Sequence, residues 1–447
     1  MGQTLIFIHN QRVAYDLMNE MLLTSSGRPK TEFAHRLCGI GDLLLSQQYD
    51  DGFRRGRKLM HQQLGTKAAV TRFNDMQEVE VRRLLLRVLN KPEGLLKHFK
   101  TTAGAIILKM TYGYSIEGGT DPLVDLIDRM LANLSLALLP LAWMVDIIPA
   151  LRYLPDWFPG ISFKETARRW NEVTQAVAEI PYSFVLRQMA TSDYQPSYVS
   201  KLVQQYSGGN GDIRSKLSRE DEYAIKWTAA TLYVGGANTI VSTLSGFVLA
   251  MVMFPEEEID RVIGADRLPR FGDRDKLPYI EGVITEAYRW FSVAPIGVPH
   301  TWFCHDPEVY IDLSSFNPSR YIEPHNEPDP KTAIFGYGRR ICPGRYFADS
   351  SVFLTITNLL AAFNNRKVVD EQGMEVEAKL EATPGMGSHP REFPYKIVPR
   401  SAKHAELVKH AELVRSIKVE QSCEEENAGC NEPGPGRVLA DDVIFRL

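Results

Sequence analysis

Cysteine is scarce in this chain. Five residues in 447, at positions 38, 304, 342, 423 and 430, form no C-x2-C or C-x4-C pair. An odd count without regular spacing excludes a disulfide scaffold, argues for a reducing compartment and leaves no zinc-type ligand set around any of them. Net positive charge is missing too: 51 basic against 55 acidic residues give −4, so nothing invokes nucleic acid. The N-terminal ten residues hold only Leu5–Ile8 as an apolar core, which is not a signal peptide or an anchor. The stretch Leu131–Val145 is interrupted by Asn133, Ser135 and Pro140, too short and broken to span a bilayer. With 44 % apolar and 24 % charged residues, the remainder is an ordinary globular composition.

One stretch concentrates chemistry: Phe335-Gly-Tyr-Gly-Arg-Arg-Ile-Cys342-Pro-Gly-Arg345. Glycines at 336, 338 and 344 allow tight turns and close backbone approach. Arg339, Arg340 and Arg345 make the surroundings electropositive, which favours thiolate over thiol. Pro343 opens a helix-like run through Tyr346, Phe347, Val352, Phe353 and Ile356, so Cys342 is expected at a helix N-terminus, where the dipole also favours negative sulfur. Such a thiolate serves as nucleophile, zinc ligand or axial haem ligand. Zinc lacks partner cysteines, and a nucleophile needs a base that the sequence does not place.

Elsewhere, Thr4–Ile8 reads as a strand and 11–22 as a helix, while 33–50 reads as irregular around Gly39-Ile-Gly41. Phe53-Arg-Arg-Gly-Arg57-Lys58 is either a solvated basic face or an anion-binding one. Residues 66–117 read as helices with short breaks. Leu123–Trp157 is rich in apolar residues and broken by proline, which reads as core. Ser218-Arg-Glu-Asp221 is a capping box that starts a long helix, 222–254, apolar nearly all round and therefore interior. Its middle holds Gly235-Gly236-Ala-Asn238-Thr239, which marks a close helix crossing, a kink, or an opening that admits a ligand. Pro278–Phe291 reads as a helix carrying Glu286 and Arg289 on one face, among apolar neighbours that imply a buried pair needing a third partner.

Taken together, Phe335, Gly338, Arg340, Cys342 and Gly344 form F-x-x-G-x-R-x-C-x-G, which resembles the haem-binding signature of the cytochrome P-450 superfamily, in wording closest to fungal microsomal-type members. The resemblance implies a mainly α fold with small β-sheets, with residues 1–402 as the haem-thiolate monooxygenase domain and 403–447 as a disordered tail. It implies haem (iron protoporphyrin) with Cys342 as axial thiolate. Arg57, His300 and Arg340 would hold the propionates; Phe53 stands where the family has a tryptophan donor. Thr239 and Asn238 would line the oxygen site and relay protons, Asn238 standing where the family has an acid and being itself unable to titrate near neutrality. Glu286 and Arg289 would join Arg320, from Phe316-Asn-Pro318-Ser-Arg320, in a structural triad. Ala294, Val298 and Met386 would face the substrate.

The implied activity inserts one atom of O2 into a hydrophobic organic substrate, with electrons from NADPH through an NADPH-cytochrome reductase docking on Arg54, Arg55 and Lys58. Relatives sit on the cytoplasmic side of the endoplasmic reticulum membrane; this chain, beginning inside the first sheet, is expected to be cytoplasmic or to touch the membrane peripherally through 131–158. The order of motifs skips strands after His300, and Lys403-His-Ala-Glu-Leu-Val408 is repeated at 409–414. Those departures keep two alternatives open: a remnant that binds haem weakly or not at all, and a peroxide-dependent or isomerase haem-thiolate enzyme, for which Asn238 speaks.

Overall fold

The computed structural model describes residues 8–21, 26–116, 121–191, 194–208, 217–254, 267–293, 300–383 and 387–410. The expected strand at 4–8 falls almost wholly outside them, as do Ala294, Val298 and Met386. The chain divides into two compact units. Among the described residues, 26–70 and 103–237 build one, and 8–21, 71–102 and 238–410 build the other.

The first unit is helical. Its helices are α1 (Asp51–Leu64), α2 (Pro122–Ala137), α3 (Phe163–Met189), α4 (Tyr198–Ser207) and the leading part of α5 (Arg219–Met253). Ser218 caps α5: its hydroxyl accepts from the Asp221 amide at 3.1 Å and donates to the Asp221 carboxylate at 2.6 Å. The Tyr198 hydroxyl donates to Thr228 at 2.8 Å, joining α4 to α5. Among the described residues α5 is the helix long and apolar enough to cross a bilayer, yet its apolar stretch is mostly buried within the protein. An interior helix passes the same hydropathy test as a membrane span.

Residues 33–50 are more ordered than expected. Glu32–Leu37 forms a wide helical turn, Gly39 takes φ 72°, and Ile40–Asp42 closes a 3-10 turn. Aromatic packing organises this region. Phe33 stacks on Trp143 with ring centroids 3.5 Å apart, and Trp170 meets both edge-on. The segment after α2 thus faces two ways. Trp143 and Val145 pack inward, while Leu141, Tyr153 and Trp157 are 84 %, 73 % and 80 % exposed.

The second unit carries the cysteine loop. Its long helices are α6 (Pro278–Trp290) and α7 (Arg345–Ala362), with Asn74–Asn90 packed on α7. The Ser351 hydroxyl donates to the Gln77 side-chain oxygen at 2.5 Å, both fully buried. Two small antiparallel sheets follow α7: Phe363–Arg366 pairs with Lys396–Pro399, and Val368–Val369 with Glu375–Val376. Where the sequence implied lost strands, His300–Cys304 forms a short helix, and the Trp302 indole donates to the His9 carbonyl at 2.8 Å. Phe303 packs with Ala14, Ala333 and Tyr337. The tail expected to be disordered from 403 is instead helical over 402–410. The KHAELV pattern is amphipathic, Val408 is buried, and the Ser401 hydroxyl accepts from the His404 amide at 3.4 Å.

Glu286 is the point on which this unit is pinned. Its carboxylate accepts from Arg289 through two bonds of 2.8 Å, from Arg320 Nε at 3.1 Å, from the Asn317 amide at 3.0 Å and from the Tyr321 hydroxyl at 2.9 Å. Arg289 also donates to the carbonyls of Cys304, Leu313 and Ser315, and Arg320 to those of Ile311 and Asp312 and to Glu327. Glu286 and Arg289 are wholly buried and Arg320 is 1 % exposed. Burial opposes the charge on Arg289, but the hydrogen bonds and charge of Glu286 outweigh it and raise the guanidinium above its ordinary value. Neutralising a buried partner leaves uncompensated charge at a cost of about 3–5 kcal/mol, a large share of a domain's roughly 5–15 kcal/mol. Glu286→Gln should therefore lose its cooperative thermal transition by circular dichroism; a melting point within a few degrees of wild type would contradict this account of the triad.

Candidate functional site

The cysteines fall into two kinds. Cys38 and Cys304 are buried thiols that desolvation pushes up to about 12, the state of inert packing groups. Cys342 is half-exposed and sits on a loop built to present it; Cys423 and Cys430 lie outside the described residues. The Cys342 amide donates to the Phe335 carbonyl at 2.7 Å, closing the loop across its base. Gly336 and Gly338 take φ 75° and 54°, left-handed values that a side chain disfavours. Gly344 caps α7, so the sulfur-bearing residue stands two positions ahead of the cap, beside the unpaired amides of the first turn. Pro343 thus precedes the helix rather than opening it. Arg345 folds back to donate to the Cys342 carbonyl at 3.3 Å and lies over the Tyr346 ring.

The loop is not sealed by other side chains. A Cβ built on Gly344 would meet nothing within 4 Å, and residues 338–346 are all half-exposed. The two glycines of α5 separate cleanly. Gly236 is a close crossing: a Cβ there would lie 2.6 Å from Ile107 Cδ1 on helix Leu95–Tyr112. Gly235 faces open space, and with Thr239, one turn on, it is exposed on a helix otherwise buried nearly all round. Asn238 beside them is half-buried. The close crossing expected from the sequence lies at Gly236, while Gly235, next to it on an unbroken helix, is exposed.

The other candidates are placed as follows. Phe335, Gly338, Arg340, Cys342 and Gly344 share the loop, and Phe335 meets the Tyr288 ring edge-on at 5.7 Å. Arg57 is half-buried on α1, whereas Arg54, Arg55 and Lys58 are exposed; Arg55 pairs with Glu220 at 2.9 Å and Asp221 at 3.4 Å. Phe53 is buried against Tyr49. His300 opens the helix to Cys304, its side chain outside what is described. A cleft of about 710 Å³ in the first unit, lined by Leu44, Asp51, Arg55, Tyr223 and Trp227 among others, includes none of the candidate haem, oxygen or substrate residues. The sequence missed a ring of charges behind the loop, Arg274, Glu281, Lys331 and Asp349, because its members are scattered over 75 residues and no periodicity links them. Adding a methyl to each α5 glycine should separate their roles. Gly236→Ala overpacks against Ile107 and should cost about 1–3 kcal/mol. Gly235→Ala has room and gains helix propensity of about 0.5–1 kcal/mol. Urea denaturation checks both, and equal losses would overturn the distinction.

A family model described as Cytochrome P450 matches residues 1–304 and 301–396, the two segments meeting where the motif order skips strands. The multifunctional cytochrome P450 monooxygenase af510 of Aspergillus fumigatus is 46 % identical over 438 aligned residues, which span 91 % of this chain and 82 % of that relative. The cytochrome P450 monooxygenase CLM2 of Gibberella zeae is 45 % identical over 441, spanning 91 % and 83 %. A zebra fish cytochrome P450 solved with abiraterone shares the fold at a TM-score of 0.62 and 17 % identity, covering 88 % of this chain and 93 % of that one. Such enzymes join a hydrophobic substrate, O2 and a redox partner. On its motifs, its half-open cysteine loop and these relatives, the chain belongs to the cytochrome P450 family, as an oxygen-incorporating, haem-thiolate oxidoreductase.

Proposed function

We propose that residues 1–402 form a monooxygenase domain in which Cys342 is the iron ligand, taking electrons from an NADPH-dependent reductase. The observation that carries this reading is the Cys342 loop: a half-buried cysteine ahead of the α7 cap, with open space over Gly344. Haem, when bound, supplies the activation of O2 for insertion of one oxygen atom into the substrate. The protein's part is to hold and shield that group. Arg57, Arg340 and His300 are the residues that would hold its propionates, guanidinium matching carboxylate through paired donors. Arg345 keeps the Cys342 carbonyl bonded, fixing the loop. Thr239 and Asn238 line the oxygen face; Asn238 donates and accepts hydrogen bonds but holds no acidic proton, so Thr239 and water move protons there. Ala294, Val298 and Met386 border the substrate. Exposed Arg54, Arg55 and Lys58 supply basic charge for an acidic partner, which would compete with Asp51 for Arg54 and with Glu220 for Arg55.

The exposed Leu141, Tyr153 and Trp157 support peripheral contact of 131–158 with the cytoplasmic face of a membrane. Leu141→Asp combined with Trp157→Asp should reduce cosedimentation with neutral phosphatidylcholine vesicles by about tenfold; unchanged partition would remove this surface from the reading.

Asn238 favours a second reading, a peroxide-driven enzyme, and one set of measurements separates the two. Haem-loaded protein, reduced and exposed to carbon monoxide, should give the red-shifted thiolate band, and Cys342→Ser should abolish it. Absence of haem uptake by the wild type would sink both enzyme readings. Product should form with NADPH and reductase, and Asn238→Asp should raise product per NADPH. Turnover with hydrogen peroxide alone, together with no gain from Asn238→Asp, would favour the second reading.

A further inference from the structure

Behind the cysteine loop lies a group of charges distinct from the Glu286 triad. Arg274, in the turn Phe271–Lys276, binds Glu281 of α6 through two bonds of 2.8 and 2.9 Å and Asp349 of α7 at 2.8 Å. Lys331 donates to Glu281 at 2.8 Å and lies 3.5 Å from Asp349. Its four members carry two positive and two negative charges, and Asp329 adds a further carboxylate 3.9 Å from Lys331. Side-chain exposures of 15–34 % set it apart from the exposed pairs, which contribute little.

The placement of two members is what matters. Lys331 opens the short helix Lys331–Ile334, which runs straight into Phe335 at the start of the loop. Asp349 stands in α7, four residues beyond Arg345 at its end. Both ends of the loop are therefore tied to one pair, Arg274 and Glu281. Tyr288, two turns along α6 from Glu281, is buried and meets the Phe335 ring edge-to-face at 5.7 Å, within electrostatic reach of Asp349, Arg274, Glu281 and Cys342. Its hydroxyl and one Asp349 carboxylate oxygen, both buried, make no hydrogen bond. Burial works against the Glu281 charge, yet Arg274 and Lys331 hold its carboxyl down at about 2.

We propose that Arg274, Glu281, Lys331 and Asp349 are positioning residues that clamp both ends of the 335–345 loop and so fix Cys342 in the one geometry that binds iron as a thiolate. This inference rests on the reading of Cys342 as the haem ligand. The physical case is one of specificity. Desolvation offsets much of the attraction within a buried ionic network, so its net stabilisation is small. Arg274 and Glu281 reach Asp349 and Lys331 together only when the loop ends stand at this separation. A one-residue slip of either end breaks a bond to that pair.

The test uses haem-loaded wild type, Asp349→Asn, Lys331→Met and Asp349→Glu. Two quantities are read: the ratio of thiolate-type to neutral-thiol-type bands of the reduced carbon monoxide complex, and the thermal melting point. Asp349→Asn and Lys331→Met should each lower the ratio by about tenfold or more, the shift expected from one lost charge-assisted bond. Melting should stay within a few degrees, and Asp349→Glu should restore the ratio. Wild-type ratios in both neutralised variants would overturn the clamp. So would a large fall in melting point and haem content that Asp349→Glu does not rescue, since that marks general stability. A wild type that takes up haem but never shows the thiolate band would fail at the earlier step, refuting Cys342 as ligand and the clamp with it.

Discussion

A single carboxylate, Glu286, is shared by two buried guanidinium groups, and the unit that carries the cysteine loop depends on it. The interaction is demanding because all three groups are out of water. Unpaired, any one would cost several kcal/mol. Paired, they leave donor groups that must still be satisfied, and those reach outward to the carbonyls of Cys304, Ile311, Asp312, Leu313 and Ser315. Irregular backbone between residues 304 and 320 is thereby given hydrogen-bond partners that no helix or sheet provides. The triad is a ligand for a loop as much as an ion pair.

With that segment fixed, the chain arrives at Lys331 and the cysteine loop in a set position. Cys342 then owes its character to three local facts. The glycines at 336 and 338 let the chain turn back so that the Cys342 amide reaches Phe335. The α7 N-terminus lies just beyond. Cys342 is half-buried, where Cys38 and Cys304 are fully buried and desolvation holds them as thiols. The same residue type is a core filler in two places and a ligand candidate in the third, and solvent access with the field of a helix end makes the difference.

Helix α5 shows how one short motif serves two purposes. Gly236 brings the helix against Ile107, and Gly235 leaves a gap beside Thr239. Cα–Cβ bonds of consecutive helical residues point about 100° apart, so neighbours meet different surroundings. The apolar segment beyond α2 is likewise divided, Trp143 stacking on Phe33 while Leu141 and Trp157 face outward.

Much was readable from sequence alone where the signal is local. The cysteine loop follows from glycine, arginine and proline placed around one sulfur. The α5 start follows from Ser218 and Asp221, and the Glu286–Arg289 pair from a three-residue helical spacing amid apolar neighbours. Each rests on interactions within one turn of the chain, so spacing encodes them. Other features depend on residues far apart in sequence. The close crossing at Gly236 depends on Ile107, which no spacing along α5 records. The ordering of 33–50 came from Trp143 and Trp170. The helix at 402–410, against the expected disorder, reflects burial of Val408. The ring joining Arg274, Glu281, Lys331 and Asp349 exists only because α6, α7 and two turns are brought together. Its attractions act through space over a few ångströms, and no pattern along the chain records that distance.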